Sequence, residues 1–91
     1  MYLIVTPEQF LRLARKFFKQ HPDLKPRFAG LLDDLQHDPF QANLKLHALS
    51  GKLDGCYAVS LTYSCRITLT LMVTAQEIIL LDIGSHDEVY R

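Results

Sequence analysis

Ile78-Ile79-Leu80-Leu81-Asp82-Ile83-Gly84-Ser85-His86-Asp87-Glu88-Val89-Tyr90-Arg91 is the stretch on which the fold turns. Five of the six residues from Ile78 to Ile83 are bulky and apolar. The turn-like Thr74-Ala75-Gln76-Glu77 precedes them and Gly84 follows. A short apolar run bounded in this way is a buried strand. The strand is expected to stop at Gly84, and the polar tail then carries a histidine, an aspartate and a tyrosine at the end of a rigid element. Histidine is the side chain that titrates near neutral pH, so this is a good place for proton transfer. The bland alternative is that His86 and Tyr90 only cover the edge of the core.

Working back from that strand, Cys65–Val73 alternates strictly. Ile67, Leu69, Leu71 and Val73 share one face, and Arg66, Thr68, Thr70 and Met72 the other. In Cys56–Leu61, Tyr57, Val59 and Leu61 alternate with Cys56, Ala58 and Ser60. A hairpin turned near Thr62-Tyr63 is expected to join these two strands, each with one buried face and one more polar face. In that register Cys56 faces the region of Leu69, so no disulfide to Cys65 is expected. Residues 40–55 read as irregular, with Gly51 and Gly55 supplying turns.

Tyr2-Leu3-Ile4-Val5 reads as a short first strand. Thr6 is placed to cap the helix that follows, with Pro7 in its first position and Gln9 completing a capping box. Phe10, Leu13, Ala14 and Phe17 recur at helical spacing and predict its buried face. Arg12, Arg15, Lys16 and Lys19 form the opposite face, and His21-Pro22 ends the helix. A second helix starts near Asp23, with Pro26 in its first turn. It buries Leu24, Phe28, Leu31, Leu32 and Leu35, and ends at Asp38-Pro39. The order β-α-α-β-β-β predicts an α+β fold, with a helical hairpin packed on one face of a largely antiparallel four-stranded sheet.

At 91 residues and 48% hydrophobic composition the chain reads as one domain, residues 1–91, with a core of its own. No apolar run spans a bilayer and no basic segment precedes an apolar one, so a cytoplasmic location without membrane contact is expected. The formal charge is zero but uneven. Residues 1–52 hold eight Lys/Arg and five Asp/Glu, whereas 53–91 hold two and five. Zero net charge weighs modestly against nucleic-acid binding, although a local basic patch can still supply the electrostatics.

Arg66 stands on the strand face that the helices leave open. A guanidinium there suits a phosphate or carboxylate, because its fork donates two parallel hydrogen bonds. The alternative is a surface ion pair, with Asp82 as the candidate partner. His47, in Leu46-His47-Ala48-Leu49, lies just before the sheet between Lys45 and Lys52. His47, Arg66 and His86 together have what acid–base cleavage of a phosphodiester requires. One imidazole takes the 2′-hydroxyl proton, a cation stabilises the phosphorane, and a second acid protonates the leaving 5′-oxygen. Tyr90 can stack on a base or donate its hydroxyl. Lys45, Lys52 and the Arg12/Arg15/Lys16/Lys19 stripe fit a sugar–phosphate backbone, although such a stripe is more often a solvated face. There is no HExxH, CxxC, P-loop or GxGxxG spacing, and neither metal nor cofactor is expected.

With the helix end "DLQHDPF", the segment "LHALSGKLDGCYAVSL", Arg66 in the middle strand and "LLDIGSHDEVY", the chain resembles the RelE/ParE toxin superfamily, and most of all its RelE/YafQ mRNA interferases. The resemblance spans nearly the whole chain. It implies a type II toxin that cleaves mRNA, usually on the ribosome, and is neutralised by a cognate antitoxin. It further implies catalytic roles for His86, Arg66, His47 and Tyr90, with Asp87 beside them. In the places where YafQ-type toxins carry another His and an Asp, this chain has Ser60 and Ser64. A ParE-like inhibitor of DNA gyrase and a non-catalytic antitoxin-binding member are the alternatives.

Overall fold

The computed structural model describes residues 1–85. The sequence calls for a sheet with one apolar face, and the chain forms β1 (Leu3–Val5), α1 (Glu8–Gln20), α2 (Lys25–His37), β2 (His47–Ala48), β3 (Tyr57–Ser60), β4 (Cys65–Met72) and β5 (Glu77–Ser85). Single 3-10 turns at Pro22–Leu24, Ala42–Leu44 and Gly51–Leu53 fill the connections. The sheet order is β1-β5-β4-β3-β2, with β1 parallel to β5 and every other pair antiparallel. The expected α+β architecture is thus present, and its sheet has five strands rather than four.

The additional strand is β2. Two residues of the stretch expected to be irregular pair with β3, His47 opposite Ala58 and Ala48 opposite Tyr57. Local chemistry holds that stretch in place. Lys45 adopts the left-handed conformation at φ 54° and ends the Ala42–Leu44 turn, Leu44 plugs into the core, and the Leu49 N–H donates to the Cys56 carbonyl at 2.9 Å. β5 runs one residue past the expected stop, through Gly84 to Ser85.

One core lies between the helices and the sheet. Phe10, Ala14 and Phe17 of α1 and Leu31 and Leu35 of α2 meet Val59, Ile67, Leu69, Ile78, Leu80 and Ile83 of the sheet. Leu69 is fully buried, as the strand phase requires. Leu13 is not part of this core: at 36% exposed it lies off the buried stripe, and Leu11 and Phe18 pack against the core instead. The capping box is also absent. Pro7 itself takes the cap position, and no side chain bonds the first turn. Pro26 lies in the first turn of α2, where the missing N–H costs nothing.

The β4–β5 ladder slips once. Leu69 pairs with Leu80 and Thr68 with Asp82, leaving Leu81 as an extra residue. Beyond the slip Ile83 faces the core and Asp82 the other side. Cys56 and Cys65 are both free thiols, as expected. No described helix is long and apolar enough to cross a membrane.

Candidate active site on the open sheet face

Cross-strand pairing decides which side chains share the face away from the helices. Directly paired residues on neighbouring strands point to the same side. His47, Ala58, Thr68 and Asp82 therefore form one row across β2, β3, β4 and β5, and Ser60, Arg66 and Gly84 form the next. Strand spacing and rise put the His47 and Arg66 Cα atoms about 12 Å apart.

Arg66 is held by the turn between β3 and β4. Its Nη1 donates to Ser60 Oγ at 3.1 Å and to the Thr62 and Tyr63 carbonyls, each at 3.2 Å. The Nε of the same guanidinium is buried and has no partner. Two residues along the same face, the hydroxyl of Thr68 is also buried and unpartnered. Each such group costs about 1–3 kcal/mol relative to a satisfied one. The considered ion pair with Asp82 does not form, because the ion pairs among the described residues are Arg15–Glu8 and His37–Asp33. Asp82 instead accepts the Ile83 N–H at 2.8 Å.

His47 is exposed, and its Nδ1 lies 2.9 Å from the Lys45 carbonyl, which orients the ring from below. Lys45 and Lys52 are exposed on the segments that flank β2. Arg12, Arg15, Lys16 and Lys19 are exposed on α1, but α1 packs its other side on the core face of the sheet. The basic stripe therefore lies across the molecule from Arg66 and His47, and Arg15 is engaged with Glu8 at 3.0 Å. His86, Asp87 and Tyr90 lie outside the described residues.

Sequence reasoning did not single out the turn that holds Arg66. The available signal was the phase of the strands, which already placed Ser60 and Arg66 on one face. The bonds from Nη1 to two main-chain carbonyls leave no trace in residue types.

A second feature lies on the helical side. Leu11, Ala14, Phe18, Pro22 and Phe28 line an apolar groove of about 530 Å³ between α1 and α2, and Arg15, Lys19 and Lys25 also line it. An apolar groove edged with cations suits an amphipathic acidic segment.

No protein-family model and no curated protein matches the chain by sequence. Solved structures do match. YafQ from E. coli strain BL21(DE3) superposes with a TM-score of 0.82 over all of both chains at 17% identity. A chain of the E. coli DinJ–YafQ toxin–antitoxin complex gives 0.79 at 18% identity, covering 99% of this chain and 98% of that one. A YoeB/ParE toxin from Agrobacterium tumefaciens gives 0.74 at 15% identity over 94% and 99%. The chain carries the fold of the YafQ and YoeB/ParE toxins.

Proposed function

We propose that this 91-residue chain is a single-domain toxin of a toxin–antitoxin pair, acting in the cytoplasm as an endoribonuclease that cleaves mRNA on the ribosome. The observation that carries the reading is an arginine fixed on the sheet face away from the helices, with His47 two strands away on that face. The full-length likeness to YafQ gives that arrangement its context.

The cleavage needs three roles. Arg66 holds the scissile phosphate and stabilises the charge that builds on it as the 2′-oxygen attacks. His47 is the candidate base for the 2′-hydroxyl proton. His86, with Asp87 and Tyr90 beside it in sequence, is the candidate acid for the leaving 5′-oxygen. Lys45 and Lys52 supply backbone contacts next to β2. The partner is an antitoxin whose acidic amphipathic segment fits the apolar groove between α1 and α2.

The test is mRNA cleavage on translating ribosomes by the wild type, Arg66→Ala and His86→Ala. Each variant is expected to lose roughly 10²–10⁴-fold in rate while remaining folded. An unchanged rate in His86→Ala would sink its role as the acid. A wild type that arrests growth by blocking gyrase, with mRNA intact, would favour the ParE-like reading. A wild type with neither effect would leave a binding module.

A further inference from the structure

Tyr63, at the tip of the β3–β4 turn, is 96% exposed. Its ring buries nothing and so contributes nothing to the core. Tight turns favour Gly, Asn, Asp or Ser, each for a backbone reason that tyrosine does not share. Ser64 follows it, so the tip also presents a hydroxyl. The main chain of Tyr63 is nevertheless tied to the site, because its carbonyl accepts from Arg66 Nη1 at 3.2 Å. Thr62 and Ser60 hold the same nitrogen, and the Thr62 hydroxyl accepts the Cys65 N–H at 3.1 Å, which closes the turn. The main chain that carries the exposed ring and the guanidinium therefore belong to one braced unit.

We propose that the β3–β4 turn is a base-stacking subsite, in which the Tyr63 ring receives the base attached to the nucleotide whose phosphate Arg66 holds. This rests on the RNA-cleaving reading above. Single-stranded RNA is held largely by stacking of unpaired bases on aromatic faces, and every base has such a face. A stacked base next to a gripped phosphate fixes the sugar between them, and the sugar carries the attacking 2′-hydroxyl. The ring thereby contributes to affinity and positioning, with little discrimination among bases.

The experiment measures kcat and KM for mRNA cleavage on ribosomes with the wild type, Tyr63→Ala and Tyr63→Phe. It uses an ordinary message and one with an abasic residue beside the cleaved bond. Tyr63→Ala should raise KM about 10-fold or more on the ordinary message, within the range for loss of one stacked base. Tyr63→Phe keeps the ring and should recover KM to within about twofold. On the abasic message the difference between wild type and Tyr63→Ala should vanish. If Tyr63→Ala cleaves the ordinary message with wild-type KM, or loses the same factor on the abasic one, the stacking subsite is wrong while the ribonuclease stands. If the wild type cleaves neither message, the ribonuclease reading fails and the subsite goes with it.

Discussion

Arg66 combines a bound half and an unbound half in one side chain. Three acceptors take Nη1, while Nε is buried without a partner. In the proposed ribonuclease, bracing of this kind lowers the rotamer entropy lost on binding a phosphate. Ser60 is the side-chain member of the brace and does not itself need to touch the substrate. Ser60→Ala should therefore lower kcat several-fold yet shift unfolding by about 1 kcal/mol or less, and Ser60→Thr should restore kcat. A paired measurement of cleavage kinetics and denaturant unfolding separates positioning from a loss of fold. The face of Arg66 was legible from the alternation Arg66/Thr68/Thr70 against Ile67/Leu69/Leu71. Its bonds to the carbonyls of Thr62 and Tyr63 were not, because main-chain acceptors are the same in every residue.

Among the elements, the two long strands and both helices were readable because their periodicity runs over many residues. β2 was hidden because a two-residue strand has no period to detect. It forms because Lys45 turns the chain and Leu44 anchors it, and both are tertiary outcomes. Leu13 was misplaced for a related reason: helical spacing allows more than one apolar stripe, and packing against the sheet selected the one that includes Leu11 and Phe18. Ties between elements are equally unreadable. Arg27 of α2 donates from Nε to the Leu61 carbonyl at 2.8 Å, stitching the helix to the start of the turn that holds Arg66. Arg27→Ala should destabilise the protein by about 1 kcal/mol. Its hydrogen-exchange protection should fall first around residues 61–65, and uniform loss across the chain would show that the tie has no local role.

For the whole molecule, zero net charge conceals a division of labour by side. Arg15 and Lys19 of α1 line a groove on the helical side, and Arg66 and His47 lie on the sheet face away from the helices. The composition exposed the imbalance along the chain but not its distribution in space, since that requires knowing which face of the sheet the helices cover. Both sides depend on one core. Leu69 sits at its centre with no exposed surface, on the strand that carries Arg66. Leu69→Ala should cost about 2–5 kcal/mol in a denaturant titration. For a domain of this size that is a large fraction of the total, so the variant should be partly unfolded at 37 °C.

The slip at Leu81 turns β5 into two segments with different reading frames. Counted in steps of two from Ile78 and Leu80, the next inward position would fall on Asp82, burying a carboxylate and turning Ile83 out to water. The one extra residue resets the count, and it also bends the strand and adds twist. Frame and aim can therefore be separated by a deletion. Removing Leu81 leaves Leu80 inward, Asp82 outward and Ile83 inward with an unbroken ladder, so the protein should still fold cooperatively. The strand would straighten, however, and Gly84 and Ser85 would leave the sheet in a new direction. A deletion variant that melts cooperatively but no longer cleaves would mean that Leu81 is present to point the chain, whereas full activity would mean that the bend has no bearing on catalysis.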